Sequence, residues 1–230
     1  GRVLVGVDLD DASAAALQLA ARLARTWGAE LTVFHATSDE VPAYFTASQI
    51  EQLEAERDES HAAAAAGVRA FAAQHTGGPL HVLVGEGPAK EAIVRLASGF
   101  DVIVLGTHRR HGLPRWWLGS VAEAAVRESP RPVLVVPSST ALGQRPTILD
   151  AGSDRTTDAW VDALRVAIGG SVVRAPELHR CPPESLDAAD VIVCPVPTAA
   201  RLNELTHVLK ECTHPILFVP TNHTLERTSS

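Results

Sequence analysis

The sequence predicts an α/β protein built from two tandem open sheets of the five-stranded type, each mostly parallel and flanked by helices. Short β-branched runs such as residues 3–7 have the composition of buried strands, and Ala-rich helical stretches separate them. The run DVIVL at residues 101–105 also reappears as DVIVC at residues 190–194. Strands that alternate with helices are typical of doubly wound parallel sheets.

The first half carries signals for five strands and four helices. Asp10 and Ser13 can cap the first helix, and Pro88 suits the first turn of the third. The strands are predicted at residues 2–8, 31–35, 80–84, 101–105 and 133–136. The helices are predicted at residues 14–26, 48–75, 88–98 and 120–129.

The second half has the pattern of a truncated copy of the first. Residues 147–150 correspond to the opening strand, and residues 156–168 correspond to the first helix. Residues 214–220 (HPILFVP) repeat the pattern of residues 131–137 (RPVLVVP). A Ser-, Gly- and Pro-containing linker lies between the halves. We therefore predict one domain at residues 1–140 and a shortened one at 145–220.

Composition excludes several classes of function. Hydrophobic residues make up 46% of the chain, and the formal net charge of -7 disfavours the basic surface that nucleic acid requires. The apolar runs are far shorter than a membrane span. Three cysteines without paired spacing do not form a disulfide framework. We expect a cytoplasmic protein with no nucleic-acid or membrane partner.

The common catalytic signatures are missing. Lys90 and Lys210 are the only lysines, and neither follows a glycine, so the chain has no P-loop. Gly85 and Gly87 lack the third glycine of a dinucleotide fingerprint, and no Gly-x-Ser-x-Gly, His-Glu-x-x-His or Cys-x-x-Cys occurs. The cysteines and His214 fit no tight zinc site. We expect no catalytic residues and no metal held by protein ligands alone.

The segment from Gly106 to Ser120 carries the strongest functional signal. It follows the fourth predicted strand, and open α/β sheets bind ligands at the carboxyl ends of their strands. Gly119 would allow close backbone approach, and Ser120 opens a helix whose free N–H groups suit a phosphate. Arg109 and its basic neighbours make the segment locally positive.

Two alternatives need no ligand. Ser120 and Glu123 have the spacing of a capping box, which would satisfy the helix N-terminus internally. Asp8 follows the first strand, where it would either hold a ribose hydroxyl or a metal-bound phosphate, or cap the first helix. The residues alone leave both alternatives open.

These residues together resemble the universal stress protein family in its tandem form. The resemblance rests on the opening VGVD at residues 5–8, the segment from Gly106 to Glu123, and the closing PVLVVP at residues 132–137. It implies an adenine nucleotide alpha hydrolase-like fold, ATP binding, possible use of Mg²⁺, and pairing through the last strand of each sheet. Residues 133–136 would then lie beside residues 216–219, giving an internal pseudo-dimer, and two chains could pair further into a homodimer.

The resemblance also implies a nucleotide site made by three segments. Asp8 matches the acidic residue near the ribose and metal. Val7 and Ala36 match the lining of the adenine pocket. The positions that face the ribose and phosphates are matched by Gly106, Gly119, Ser120 and Val121.

Arg109 departs from the family pattern, because it occupies the second motif glycine. A side chain there would either clash with the nucleotide and strain a positive-φ backbone by about 1 kcal/mol or more, or reach the phosphates. The second half has Pro195, Pro197 and Thr198 in place of this loop, so we expect it to bind no nucleotide.

Two functions remain open at this stage. The first is a nucleotide-binding stress-response regulator that holds ATP in its first domain. The alternative is a ligand-free interaction protein whose two halves form the internal pseudo-dimer. A hydrolase is disfavoured because no base–nucleophile pair and no Walker lysine occur, so we expect no enzymatic activity.

Overall fold

The computed structural model describes residues 1–37, 47–107, 118–152, 155–175, 177–196 and 213–221, with side chains of the second helix described from residue 57 onward. In this part of the chain no helix is long and apolar enough to cross a membrane. The first half contains β1 (Arg2–Gly6), α1 (Asp11–Trp27), β2 (Glu30–Thr37), α2 (Ala47–His75), β3 (His81–Glu86), α3 (Ala89–Ala97), β4 (Val102–Thr107), α4 (Ser120–Glu128) and β5 (Val133–Pro137). The second half contains β6 (Thr147–Asp150), α5 (Asp158–Ile168), β7 (Ser171–Arg174), α6 (Pro183–Asp187), β8 (Val191–Pro195) and β9 (Ile216–Val219).

The strands form one sheet in the order β3-β2-β1-β4-β5-β9-β8-β6-β7. All neighbouring strands are parallel except β5 and β9, which are antiparallel. In the first half the chain moves outward from β1 to β3 and then returns to the other side of β1 at β4. This reversal creates a switch point between the carboxyl ends of β1 and β4, where open α/β sheets bind ligands. The expected α/β class, with a mostly parallel sheet and flanking helices, is confirmed, but the strands form one continuous sheet instead of the two tandem sheets that were expected.

The two halves meet edge to edge through the strands that were expected to pair. Val133 lies opposite Phe218, and Val135 lies opposite Ile216. The order β9-β8-β6-β7 repeats the order β5-β4-β1-β2 of the first half. Between β7 and β8 the described residues form a 3-10 turn at Leu178–Arg180 and α6, so β7 is an edge strand where the first half adds β3. The sheet is therefore continuous across the two repeats.

A second contact joins the halves on one face of the sheet, where α1 packs against α5. Arg22 Nη2 donates to the Ile168 carbonyl at 2.8 Å, placing a cation at the C-terminus of α5. Trp27 Nε1 donates to the Ala163 carbonyl at 3.1 Å, and its ring meets Trp160 edge-on with 6.2 Å between centroids. Buried residues of both halves belong to one hydrophobic cluster. The halves therefore share a core.

A buried carboxylate lies at the end of β6. Asp150 is 1% exposed, and its Oδ1 accepts hydrogen bonds from the Thr157 hydroxyl at 2.8 Å and the Gly152 N–H at 3.2 Å. Arg174 Nη1 lies 3.8 Å from Oδ2, and a hydrogen bond to Asp158 raises the pKa of that guanidinium. These partners matter because an unpaired buried charge is strongly destabilising.

Replacing Thr157 by valine is expected to lower the free energy of unfolding by about 2 kcal/mol, because Asp150 stays buried and loses its hydroxyl donor. Thermal unfolding followed by circular dichroism should show a Tm about 4–8 °C lower. Thr26→Val is the control, since the exposed Thr26 hydroxyl bonds only to the Arg22 carbonyl of its own helix. Equal losses of Tm in the two variants would show that the hydrogen bond from the Thr157 hydroxyl to Asp150 contributes no more to stability than an exposed hydroxyl does.

Candidate functional site

A cleft of about 490 Å³ opens at the switch point between β1 and β4. Its walls are the carboxyl ends of β1, β2 and β4 and the first turns of α1, α3 and α4. This volume includes space that is open to solvent. The sheet topology alone places a ligand site at this position, and the structure has an open space there.

Five of the predicted site residues line this cleft, namely Val7, Asp8, Ala36, Gly106 and Val121. Gly119 and Ser120 directly precede Val121 at the start of α4. Arg109 lies outside the described residues. The structure therefore brings together segments that are far apart in the chain, as the resemblance implied.

Part of the cleft lining is apolar. Phe34 and Ala36 reach it from β2, and Leu105 reaches it from β4. Phe34 is 2% exposed, and Gly85 on the neighbouring strand makes room for the ring, since a Cβ there would lie 2.7 Å from the ring edge. This apolar part of the lining suits a flat, largely apolar group.

The end of β1 is fixed against β2 beside this apolar surface. Val7 N–H donates to the Phe34 carbonyl at 2.9 Å. The Val7 carbonyl in turn accepts from His35 Nδ1 at 2.8 Å, so this ring nitrogen carries a proton. Both polar backbone groups of Val7 are thus engaged, which holds the position from which Asp8 projects.

Asp8 lies exposed on the cleft wall and does not cap α1. The N-cap is Asp10, whose Oδ1 accepts from the Ser13 N–H at 2.8 Å. The interpretation of Asp8 as a helix cap is therefore wrong, and the prediction of Asp10 as a cap is confirmed. Within the described ranges no hydrogen bond or ion pair engages the Asp8 carboxylate. It remains available to a ligand.

The capping-box interpretation of Ser120 and Glu123 is also wrong. Gly119 is the N-cap of α4, and no cap hydrogen bond from a side chain is found among the described residues. Glu123 turns along the helix instead, where its Oε1 lies 3.0 Å from Arg127 Nη2. The hydrogen bonds of a helix leave its first amide groups without intrahelical partners. Val121 and Ala122 of this first turn line the cleft.

Helix α3 adds a second N-terminus without a side-chain cap. Pro88 is its N-cap and provides no side-chain hydrogen bond, and the next residue, Ala89, lines the cleft. Each helix N-terminus carries a partial positive charge of about half an elementary charge. The cleft lining therefore combines apolar side chains with two helix N-termini, and helix N-termini favour the binding of an anion.

Gly106 and Gly119, the two motif glycines, differ in what surrounds them. A Cβ on Gly106 would lie 2.5 Å from the Ala12 carbonyl oxygen and 3.0 Å from the Ser13 nitrogen, so β4 touches the first turn of α1 there. A Cβ on Gly119 would meet nothing within 4 Å, and its φ of -56° is open to any residue. Gly106 is required by packing, whereas neither the surrounding space nor the backbone φ requires glycine at position 119.

Several cleft residues escaped the sequence prediction. Ala89 and Ile93 lie one turn apart on α3 and reach the cleft because that helix packs against β2, β3 and α4. Phe34 precedes the predicted Ala36 by two positions and so shares its face of the sheet. Strand alternation could have identified Phe34. Nothing in the local sequence shows which helix face meets the cleft.

The doubly wound sheet with a cleft at its switch point defines an α/β protein with a candidate ligand site. Comparison with protein families identifies the family, because the model of the universal stress protein family matches residues 1–137. The chain belongs to the universal stress protein family.

The similarity to curated relatives covers the first half. A universal stress protein of Thermus aquaticus, encoded in the QAH/OAS sulfhydrylase 3' region, is 35% identical over 137 residues, which are 58% of this chain and 96% of that protein. A universal stress protein of Mycobacterium tuberculosis is 31% identical over 136 residues, which are 58% of this chain and 43% of that protein. The match thus spans less than half the length of the mycobacterial relative.

The similarity to solved structures extends over both halves. A universal stress protein from Archaeoglobus fulgidus covers 96% of this chain and 98% of its own length, with a TM-score of 0.65 and 14% identity. At that identity the likeness concerns the fold. A universal stress protein solved in complex with cAMP covers 60% of this chain and 97% of its own, with a TM-score of 0.42 and 22% identity.

Proposed function

We propose that this protein binds an adenine nucleotide, ATP or a close relative, in the cleft between β1 and β4. The observation that carries the proposal is the N-terminus of α4, which has no side-chain cap among the described residues and whose first turn lines a cleft that also has apolar walls. Amide donors at a helix N-terminus suit phosphate groups. The surface around Phe34 and Ala36 suits the ring of a base.

Asp8 fits the part of a nucleotide between base and phosphates. A carboxylate repels phosphate oxygens, so its presence in an anion site needs a hydroxyl donor or a cation. Ribose hydroxyls supply the first, and Mg²⁺ held by the phosphates supplies the second. The accessible Asp8 carboxylate on the cleft wall fits both, which supports ATP bound together with Mg²⁺.

The role we propose is regulation by nucleotide occupancy, without catalysis. Among the described residues of the cleft, the polar side chains belong to Asp8, Asp10 and Ser13. Asp10 and Ser13 are hydrogen-bonded within the β1–α1 loop, and no described His, Cys or Lys lines the cleft to form a nucleophile–base pair. Occupancy would then act on stability or on a protein partner in the stress response.

Calorimetric titration of ATP with Mg²⁺ into nucleotide-free protein tests the proposal. We expect one site per chain with a Kd in the micromolar range. No heat, together with no nucleotide retained through purification, would contradict it. If the wild type fails and an Arg109→Gly variant gains binding, the arginine is the element that blocks the site.

Replacing Gly119 by serine is expected to stabilise the protein by about 0.5 kcal/mol and to weaken ATP binding about tenfold. The extended backbone of Gly119 suits a serine N-cap, whose hydroxyl would take an α4 amide from the phosphates. Gly119→Ala adds the same Cβ without an acceptor, so its effect on affinity should stay below about threefold. Unchanged affinity in Gly119→Ser would show that α4 does not hold the phosphates.

The continuous sheet favours a second candidate function, an interaction protein whose halves act as an internal pseudo-dimer. β9 occupies the edge of β5, and α5 covers α1, so the second half lies where the family resemblance implies a partner subunit. This candidate predicts a monomer of 24.3 kDa in light scattering after gel filtration. A mass of two chains would favour the homodimer instead.

A further inference from the structure

Ser13 joins the two sides of the loop between β1 and α1. It lies in the first turn of α1 and is 4% exposed. Its Oγ accepts the Asp8 N–H at 2.8 Å, and its own N–H donates to Asp10 Oδ1 at 2.8 Å. One buried residue therefore holds the backbone of Asp8 and the side chain of Asp10. We call this pair of hydrogen bonds the Ser13 clasp.

The loop held by the clasp has an unfavourable backbone conformation. Leu9 lies between Asp8 and Asp10 with a φ of 60°, and among the described non-glycine residues it alone has a positive φ. Side chains at this φ are strained, so such a conformation persists only where its surroundings enforce it. Local preference does not select this loop shape, and the Ser13 clasp supplies the required hydrogen bonds.

The first turn of α1 is itself fixed by β4. A Cβ on Gly106 would lie 3.0 Å from the Ser13 nitrogen, so the strand and this turn are in direct contact. Ser13 is thus held against β4 while its Oγ accepts the Asp8 N–H just beyond the end of β1. The distance between the Asp8 carboxylate and the β4 wall depends on this residue.

We infer that Ser13 is a positioning residue of the nucleotide site, which holds the Asp8 carboxylate in place before a ligand arrives. This inference rests on the proposed function. The Ser13 oxygen is already an acceptor for the Asp8 amide, so it acts through Asp8. A loop that is ordered in advance spares the ligand the entropic cost of ordering it, and this raises affinity.

A double-mutant cycle with Asp8 separates positioning from direct contact. We expect Ser13→Ala to weaken the binding of ATP with Mg²⁺ about tenfold, and less than about twofold when Asp8 is already alanine. Equal losses in both backgrounds would overturn the inference, because Ser13 would then act independently of Asp8. Absence of binding by the wild type would overturn the proposed function and this inference with it.

Amide exchange provides a test that needs no nucleotide. The Asp8 amide should be protected in the free wild type and should exchange at least about tenfold faster in Ser13→Ala. Equal exchange in the two proteins would show that the clasp is not formed, even if ATP binds normally. The inference can therefore fail while the proposed function stands.

Ser129→Ala is the matched control for loss of a buried serine. Ser129 is 8% exposed, and its Oγ accepts the Arg131 N–H at 3.0 Å beyond the far end of α4. We expect its loss of Tm to resemble that of Ser13→Ala and its ATP affinity to stay unchanged. An equal loss of affinity in both variants would show a general effect of destabilisation and would overturn the positioning role.

Discussion

Replacing Gly106 by alanine is expected to lower the free energy of unfolding by about 2–3 kcal/mol and the Tm by about 4–12 °C. The added Cβ would lie 2.5 Å from the Ala12 carbonyl oxygen and 2.6 Å from its carbon. Both are backbone atoms of α1, so no side chain can rotate away. The helix and β4 must separate, which also moves Ser13 and the loop that carries Asp8.

Gly119→Ala is the control, because a Cβ there meets nothing within 4 Å. Its free energy of unfolding should change by less than about 1 kcal/mol, the difference between glycine and alanine at an N-cap. Thermal or denaturant unfolding of the two variants measures the contrast. Similar stabilities would contradict the assignment of Gly106 to packing and would return both glycines to the ligand site.

Replacing Trp160 by alanine is expected to lower the free energy of unfolding by about 4 kcal/mol and the Tm by about 8–16 °C. Trp160 is 3% exposed and belongs to the buried cluster shared by the two halves. Its removal deletes the edge-on contact with Trp27 on α1. Since the halves share this core, we expect one unfolding transition at a lower temperature. Two separate transitions would show that the halves fold independently.

Two variants on the same helix make this prediction specific. Trp160→Phe should cost much less than Trp160→Ala, because phenylalanine fills most of the volume and removes an indole N–H that has no hydrogen-bond partner among the described residues. Val166→Ala should be nearly neutral, since Val166 is 63% exposed on α5. A loss for Val166→Ala as large as that for Trp160→Ala would indicate damage to α5 itself rather than to the shared core.

Local sequence signals placed the elements of the first half well. Hydrophobic runs and breakers lie close together in the chain, and each predicted strand and helix has its counterpart in β1 through β5 and α1 through α4. The pairing of residues 133–136 with residues 216–219 followed from the family resemblance, and the antiparallel pair of β5 and β9 confirms it. The two paired strands were identifiable because residues 214–220 repeat the pattern of residues 131–137.

The candidate site was less accessible to sequence reasoning, because hydrogen-bond partners depend on directions in space. Ser120 and Glu123 have the spacing of a capping box, yet Glu123 bonds to Arg127 and α4 starts without a side-chain cap. Asp8 and Asp10 are equally suited to cap α1 by residue type, and only the path of the loop through Leu9 assigns that role to Asp10.

The sequence by itself determined the alternation of strands and helices, the repeat, and the family. These properties follow from local composition and from the spacing of apolar residues, which differs between strands and helices. Only the tertiary structure decided that Gly106 is a packing glycine, that Ser13 holds the Asp8 amide, and that α1 and α5 share one core. The Gly106 contact and the shared core depend on atoms from distant parts of the chain. The Ser13 hydrogen bond depends on the strained loop through Leu9. In each case packing sets the distances between the atoms.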